Sequence, residues 1–202
     1  MVSSQSIANG PLTTVYYILT TENMKTWIAL LRGINVGGKH IVPMKELREL
    51  LQKNGFSAVR TYIQSGNVVC DHPAAEPREV GAQMGKLIET RFGFLPRVMV
   101  LTRQTLLTAM AENPFPEGEG DPKSIHLYFM DEKPAGADLD LLENLKADSE
   151  KFRLKEKVFY LYAPEGIGRS RLAEKVERAL GVPATARNWR SVGRIAGLAE
   201  SQ

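Results

Sequence analysis

The sequence is short of most things that announce a chemistry. It has one cysteine, Cys70, in 202 residues, so no disulfide framework can form within the chain. Its three histidines, His40, His72 and His126, do not pair with one another, with Cys70 or with a carboxylate at a metal-ligand spacing such as H-E-x-x-H. No G-x-S-x-G elbow is present, and Ser170 in Gly168-Arg169-Ser170 reads as the start of a helix. No apolar run approaches the ~20 residues that a membrane-spanning helix requires, so no membrane partner is expected. Hydrophobic residues make up 43% and charged residues 24%, the proportions of a chain that can bury a core, and this excludes intrinsic disorder as the general state. A reducing, cytoplasmic setting is the expectation for such a chain, with Cys70 a buried inert thiol inside an apolar strand.

Charge is balanced overall, at +3, but not along the chain. Residues 24–102 carry +5, residues 103–150 carry −7 and residues 151–202 carry +6. Two basic segments flank an acidic one. They are solvated surface charge unless they converge in space, in which case they form an anion-attracting face.

Residues 1–23 carry no basic n-region, and Val15–Leu19 is too short for a signal-peptide core. They read as a disordered N-terminal extension ahead of Met24. From there the periodicities alternate. Trp27–Leu31 is a continuous apolar run, a strand buried on both faces. Met44, Leu47, Leu50 and Leu51 have helical spacing behind Pro43, and Asn54-Gly55 ends that helix. Residues 58–63 and 68–70 are strands joined by Gln64-Ser65-Gly66-Asn67, a hairpin signal. A helix over 79–92 ends at Gly93, a strand spans 97–101, and Thr102 caps a further helix to Ala111.

The second half repeats the order. A strand over 125–130, a helix over 139–145, a hairpin of 152–154 and 158–162, a helix over 169–180 ended by Gly181 and a strand over 184–187 follow in turn. Asn188 then caps a last helix. Each half reads strand-helix-strand-strand-helix-strand plus a helix. The expected fold is therefore α+β, two tandem ferredoxin-like βαββαβ units related by internal duplication, over residues 24–112 and 123–202. The stretch 112–122, rich in Pro, Gly and acid, reads as the linker. Tyr160 and Tyr162 share one strand face, as core packing, a domain interface or an RNA-stacking platform, although no RNP1 pattern accompanies them.

Gly33-Ile34-Asn35-Val36-Gly37-Gly38-Lys39 fits G-x-x-x-x-G-K after a strand. His40 stands where a P-loop needs Ser or Thr, and the helix begins only near Pro43, so an NTP-hydrolysing P-loop is not the reading. What survives is a loop whose amides, with Arg32 and Lys39, suit an anion, beside the plainer reading of a connection whose glycines serve the turn. Arg187, Asn188 and Trp189 at the start of the last helix form a second such constellation, with capping by Asn188 and core packing of Trp189 as the plainer alternatives.

Four stretches taken together have a family likeness: Trp27–Gly38, Tyr62–Val69, Gly166–Ser170 and Thr185–Trp189, in that order. The chain resembles the bacterial family of unknown function DUF1697 over about residues 24–200. The resemblance implies an α+β fold with two similar halves, and it brings no established activity, cofactor or catalytic set.

The expectation is a protein of unknown function that binds an anionic small molecule or a nucleotide in a cleft between the two units, with no cofactor and no metal. Arg32, Asn35, Gly37, Gly38, Lys39, Gln64, Ser65, Asn67, Arg187, Asn188 and Trp189 would supply the groups. The alternatives are a nucleic-acid binder, an enzyme on a phosphorylated metabolite with Arg32 and Lys39 stabilising charge, and a protein-interaction scaffold.

Overall fold

Strand alternation decides how the molecule is layered. In β1 (Lys25–Arg32), Ile28 and Leu30 point to one side while Trp27, Ala29 and Leu31 point to the other. All five are buried, so β1 needs cover on both faces. The computed structural model describes residues 24–200; the extension expected over 1–23 lies outside the described residues.

After β1 come α1 (Met44–Gln52), β2 (Ser57–Tyr62), β3 (Asn67–His72), α2 (Pro77–Phe92), β4 (Arg97–Thr102) and α3 (Arg103–Ala111). The second half supplies β5 (Ile125–Met130), α4 (Leu139–Leu145), β6 (Lys151–Lys155), β7 (Val158–Tyr162), α5 (Val176–Leu180), β8 (Ala184–Asn188) and α6 (Trp189–Glu200). The fold is α+β, with two four-stranded antiparallel sheets and six α-helices among the described residues. The sheets have the orders β2-β3-β1-β4 and β6-β7-β5-β8, so β1 and β5 hold equivalent central places.

Three apolar clusters follow from this pattern. Helices α1 and α2 cover the Trp27, Ala29 and Leu31 face of the first sheet. Helices α4 and α5 cover the Tyr128, Met130 and Phe159 face of the second. The two remaining sheet faces share a middle core with α3 and α6, built on Ile28, Leu30, Leu127, Phe129 and Tyr160. Tyr160 is fully buried there and its hydroxyl donates to the Ala109 carbonyl at 2.9 Å. The shared face of Tyr160 and Tyr162 therefore serves packing between the two sheets, and the middle core joins the halves into one hydrophobic body.

The helix ends obey local chemistry. The Thr102, Asp138 and Asn188 side chains accept from the amides of Thr105, Leu141 and Ser191 at 3.0, 2.9 and 2.9 Å. Gly93 and Gly181 close α2 and α5 in left-handed conformation, at φ of +80° and +69°.

One expected element differs. The helix expected over 169–180 is helical only at Val176–Leu180, preceded by a 3-10 turn at Ile167–Arg169 and further turns. Ser170 Oγ accepts from the Ala173 amide at 2.9 Å and the Lys175 amide turns back to the Leu172 carbonyl at 2.9 Å, giving three-residue turns in place of the first helical turns. Leu172, Val176, Ala179 and Leu180 are all buried, so the apolar spacing survives the change of backbone. The stretch 112–122 is also more than a tether: Phe115 is buried, and Asn113 bonds Glu119 at 2.9 Å.

Burial of His126 on β5 gives a pH prediction. Burial lowers its pKa from 6.5 to about 4, and its Nδ1 has no hydrogen-bond partner among the described residues. The unfolded chain takes up this proton and the folded chain refuses it, so stability is complete above the ordinary value and is lost as pH falls toward 4. The full loss attached to this residue is about 3 kcal/mol. Urea denaturation between pH 7 and pH 4 is expected to show a weaker acid dependence in His126→Gln than in the natural protein. Parallel pH profiles would assign the acid sensitivity elsewhere.

Candidate functional site

The chain leaves β1 at Arg32 and needs a tight return before α1. Gly33, Asn35, Gly37, Gly38 and His40 all take positive φ, and Val36 and Lys39 form an isolated bridge. The sequence resembling a P-loop is thus a self-bridged hairpin-like loop, ending four residues before α1 begins at Met44. Asn35 ties it down. Its Nδ2 donates to the carbonyls of Val42 and Gln64 at 3.0 and 2.8 Å, and its Oδ1 accepts from the Val42 amide at 2.8 Å. His40 stacks on Phe94, with ring centroids 4.2 Å apart, and its Nδ1 lies 3.0 Å from the Gly33 carbonyl.

The turn between β2 and β3 meets the end of β1. The Leu31 amide donates to the Gly66 carbonyl at 2.8 Å. Asn67 is buried, with Nδ2 donating to the Tyr62 carbonyl at 3.1 Å and to Ser65 Oγ at 3.0 Å.

Arg187 reaches this junction from β8, an edge strand of the other sheet. Its Nε donates to Asn67 Oδ1, its Nη2 to the carbonyls of Leu31 at 2.9 Å and Ser65 at 3.0 Å, and its Nη1 to its neighbour Ala186 at 2.8 Å. Every acceptor is neutral. Burial pulls the Arg187 pKa down to about 10, with no carboxylate opposing the shift. The side chain therefore remains a cation at neutral pH, with no ion-pair partner among the described residues.

Arg32 is arranged differently. It forms a two-pronged ion pair with both carboxylate oxygens of Glu177, across 145 positions of sequence. The paired hydrogen bonds hold the Glu177 carboxyl below its usual range and raise the Arg32 pKa.

Between these groups lies a cleft of about 350 Å³. Leu31, Ile34, Tyr128, Ala173 and Ala186 form its apolar walls. Its ionised wall residues are Arg32, Glu174, Glu177 and Arg187, and Ser65 and Thr185 are polar. Thr185 is 1% exposed and its hydroxyl has no hydrogen-bond partner among the described residues.

Of the residues singled out in the sequence, Arg32, Ser65 and Arg187 line this cleft. Asn35 and Asn67 stand behind it as braces for the loop and the turn. Gly37, Gly38 and Lys39 are exposed at the loop tip and Gln64 is exposed on the turn, away from the cleft wall. Asn188 caps α6, and Trp189 packs against the middle core. Sequence reading did not anticipate Glu174 and Glu177 as wall residues. No helical spacing accounts for the pair, because Glu174 stands in the turns that precede α5 and Glu177 in its first turn. Tyr128 was not anticipated either, since its place opposite Ala186 is a matter of β5–β8 register.

The cleft holds no nucleophile paired with a base. Cys70 lies elsewhere, fully buried, with its pKa pushed up to about 12 by burial. Among the described residues no group of three His, Cys, Asp or Glu side chains is placed to hold a metal ion, and no helix is long and apolar enough to cross a membrane.

A family model described as a protein of unknown function, DUF1697, matches residues 24–160. Comparison with curated proteins gives no match. Among solved structures, the conserved bacterial protein SP0830 from Streptococcus pneumoniae is similar in fold, with a TM-score of 0.63 and 24% identity. The match covers 88% of this chain and 99% of that one.

Proposed function

The chain belongs to the DUF1697 family of proteins of unknown function, and from that premise we propose that it binds a small anionic molecule in the cleft between its two sheets, with Arg187 as the recognising charge. The observation that carries this reading is the partly buried guanidinium whose acceptors are all neutral. A buried charge without a partner is costly, and a bound anion supplies the missing counter-charge. Arg32 contributes less, because Glu177 already neutralises it.

The same reading takes the two halves as tandem ferredoxin-like units, 24–112 and 123–202, that arose by duplication. The identical strand orders and the matching glycine stops after α2 and α5 support it. Duplication would explain a cleft at the junction, where the exposed end of one sheet meets the edge of the other. A cytoplasmic setting suits the free thiol of Cys70.

The test is thermal unfolding of the full chain with inorganic phosphate, acetate and mononucleotides, in the natural protein and in Arg187→Gln. A ligand at ~100 times its dissociation constant adds about 2.7 kcal/mol. The stabilisation is expected in the natural protein, to be lost in Arg187→Gln, and to persist in Lys39→Ala, whose side chain lies off the cleft. If neither these anions nor free amino acids stabilise the natural protein, the proposal fails.

Thr185→Val gives a separate expectation. Removing a buried hydroxyl that has no partner is expected to leave stability unchanged or raise it by about 1 kcal/mol, measured by chemical denaturation. A loss above ~1 kcal/mol would mean the hydroxyl is satisfied in solution.

A further inference from the structure

We infer that the cleft is shaped for a zwitterion, a small molecule with one carboxylate and one ammonium group, of the class of free α-amino acids. This rests on the anion-binding reading above and narrows it. The charge pattern of the wall carries the inference. Two ionised groups of each sign line the cleft. Arg32 and Glu177 grip each other through both oxygens and both terminal nitrogens, and so cancel. What remains is dipolar: Arg187 with neutral acceptors only, and Glu174, an exposed carboxylate with no hydrogen bond or ion pair among the described residues.

Each ligand class meets that dipole differently. A phosphate ester or polyphosphate brings two or more negative charges to a wall whose formal charge is zero, and faces the carboxylates of Glu174 and Glu177. A plain carboxylate satisfies Arg187 and leaves Glu174 unanswered. A zwitterion answers both. Arg187 has five N–H donors and gives one from Nε, one from Nη1 and two from Nη2 to protein acceptors, leaving one on Nη1 for a carboxylate oxygen. The volume of about 350 Å³ is at the small end for ligand sites, and Leu31, Ile34 and Tyr128 offer apolar surface for a side chain.

The experiment is isothermal titration of the full chain with the common α-amino acids, each beside its des-amino carboxylate and its decarboxylated amine, and with inorganic phosphate. At least one amino acid is expected to bind about tenfold or more tighter than both of its analogues, a difference of about 1.4 kcal/mol. Glu174→Gln, at an exposed position that the fold does not need, is expected to weaken that amino acid about tenfold and to leave its des-amino carboxylate unchanged. If phosphate or the des-amino carboxylates bind as tightly as the amino acids, and Glu174→Gln leaves or improves their binding, the zwitterion inference is overturned while the anion reading stands. Absence of binding by every probe overturns both.

Discussion

Arg187→Met is expected to destabilise the protein by about 3 kcal/mol, chiefly because the two halves lose their polar clamp. The guanidinium bonds the Leu31 and Ser65 carbonyls and Asn67 Oδ1, groups 120 to 156 positions away in sequence. Hydrogen bonds that involve a charged group contribute roughly 1.5–3 kcal/mol each, and acceptors left buried add their desolvation cost. Opposing this, Met removes a cation that burial disfavours, as its lowered pKa of about 10 shows, and this offsets about 3 kcal/mol. The clamp outweighs the offset because three separate elements lose their partner together. Lysine keeps the charge but has no planar fork, so Arg187→Lys is expected to recover less than half of the loss. Urea denaturation of the three proteins measures this. Hydrogen exchange should quicken in β8 and at residues 65–67 before it does in β1. A loss under ~1 kcal/mol for Arg187→Met would mean the clamp is dispensable.

Gly66→Val is expected to cost about 4 kcal/mol, from two sources that a control separates. Gly66 has φ of +71°, a conformation that costs an L-residue roughly 1–2 kcal/mol. A Cβ placed there would also stand 2.7 Å from Leu31 Cβ and 2.7 Å from Ile34 Cδ1. Leu31 Cβ is fixed to the central strand of its sheet and cannot swing away, so the turn itself must move, with an overpacking cost of ~1–3 kcal/mol. Gly38 has the same backbone sign, at φ of +73°, but open space around it. Gly38→Ala is therefore expected to cost only the conformational share, about 1 kcal/mol. Because Ser65 and Asn67 flank Gly66 and both bond Arg187, Gly66→Val should also abolish ligand binding in the cleft, whereas Gly38→Ala should not. Equal costs at the two positions would show that the close approach to Leu31 is relieved at no expense.

Much of the fold was legible because its signals are local. The apolar run at Trp27–Leu31, the Thr102 cap and the Ser65–Asn67 hairpin turn each depend on neighbours within a few residues. The helix over 169–180 was overextended because Ser170 can bond the backbone in place of a helical partner, and apolar spacing alone does not distinguish the two outcomes. The glycine loop reads from sequence as an anion site or as a plain connection; in the fold, closed by the Val36–Lys39 bridge, Val36 lines the cleft and the tip residues Gly37, Gly38 and Lys39 do not. No local pattern encodes where that bridge directs the tip.

The sequence by itself determined the strands, the helices other than that over 169–180, their order and the repetition of that order, since periodicity, caps and turn residues act over one or two turns of chain. Only the tertiary structure decided that Arg187 would meet residues 31 and 65–67, that Glu177 would cancel Arg32, and that Glu174 would be left to face the cleft. Those pairings depend on how the two sheets stack over their shared core, where register and distance between remote segments set the partners of each charge.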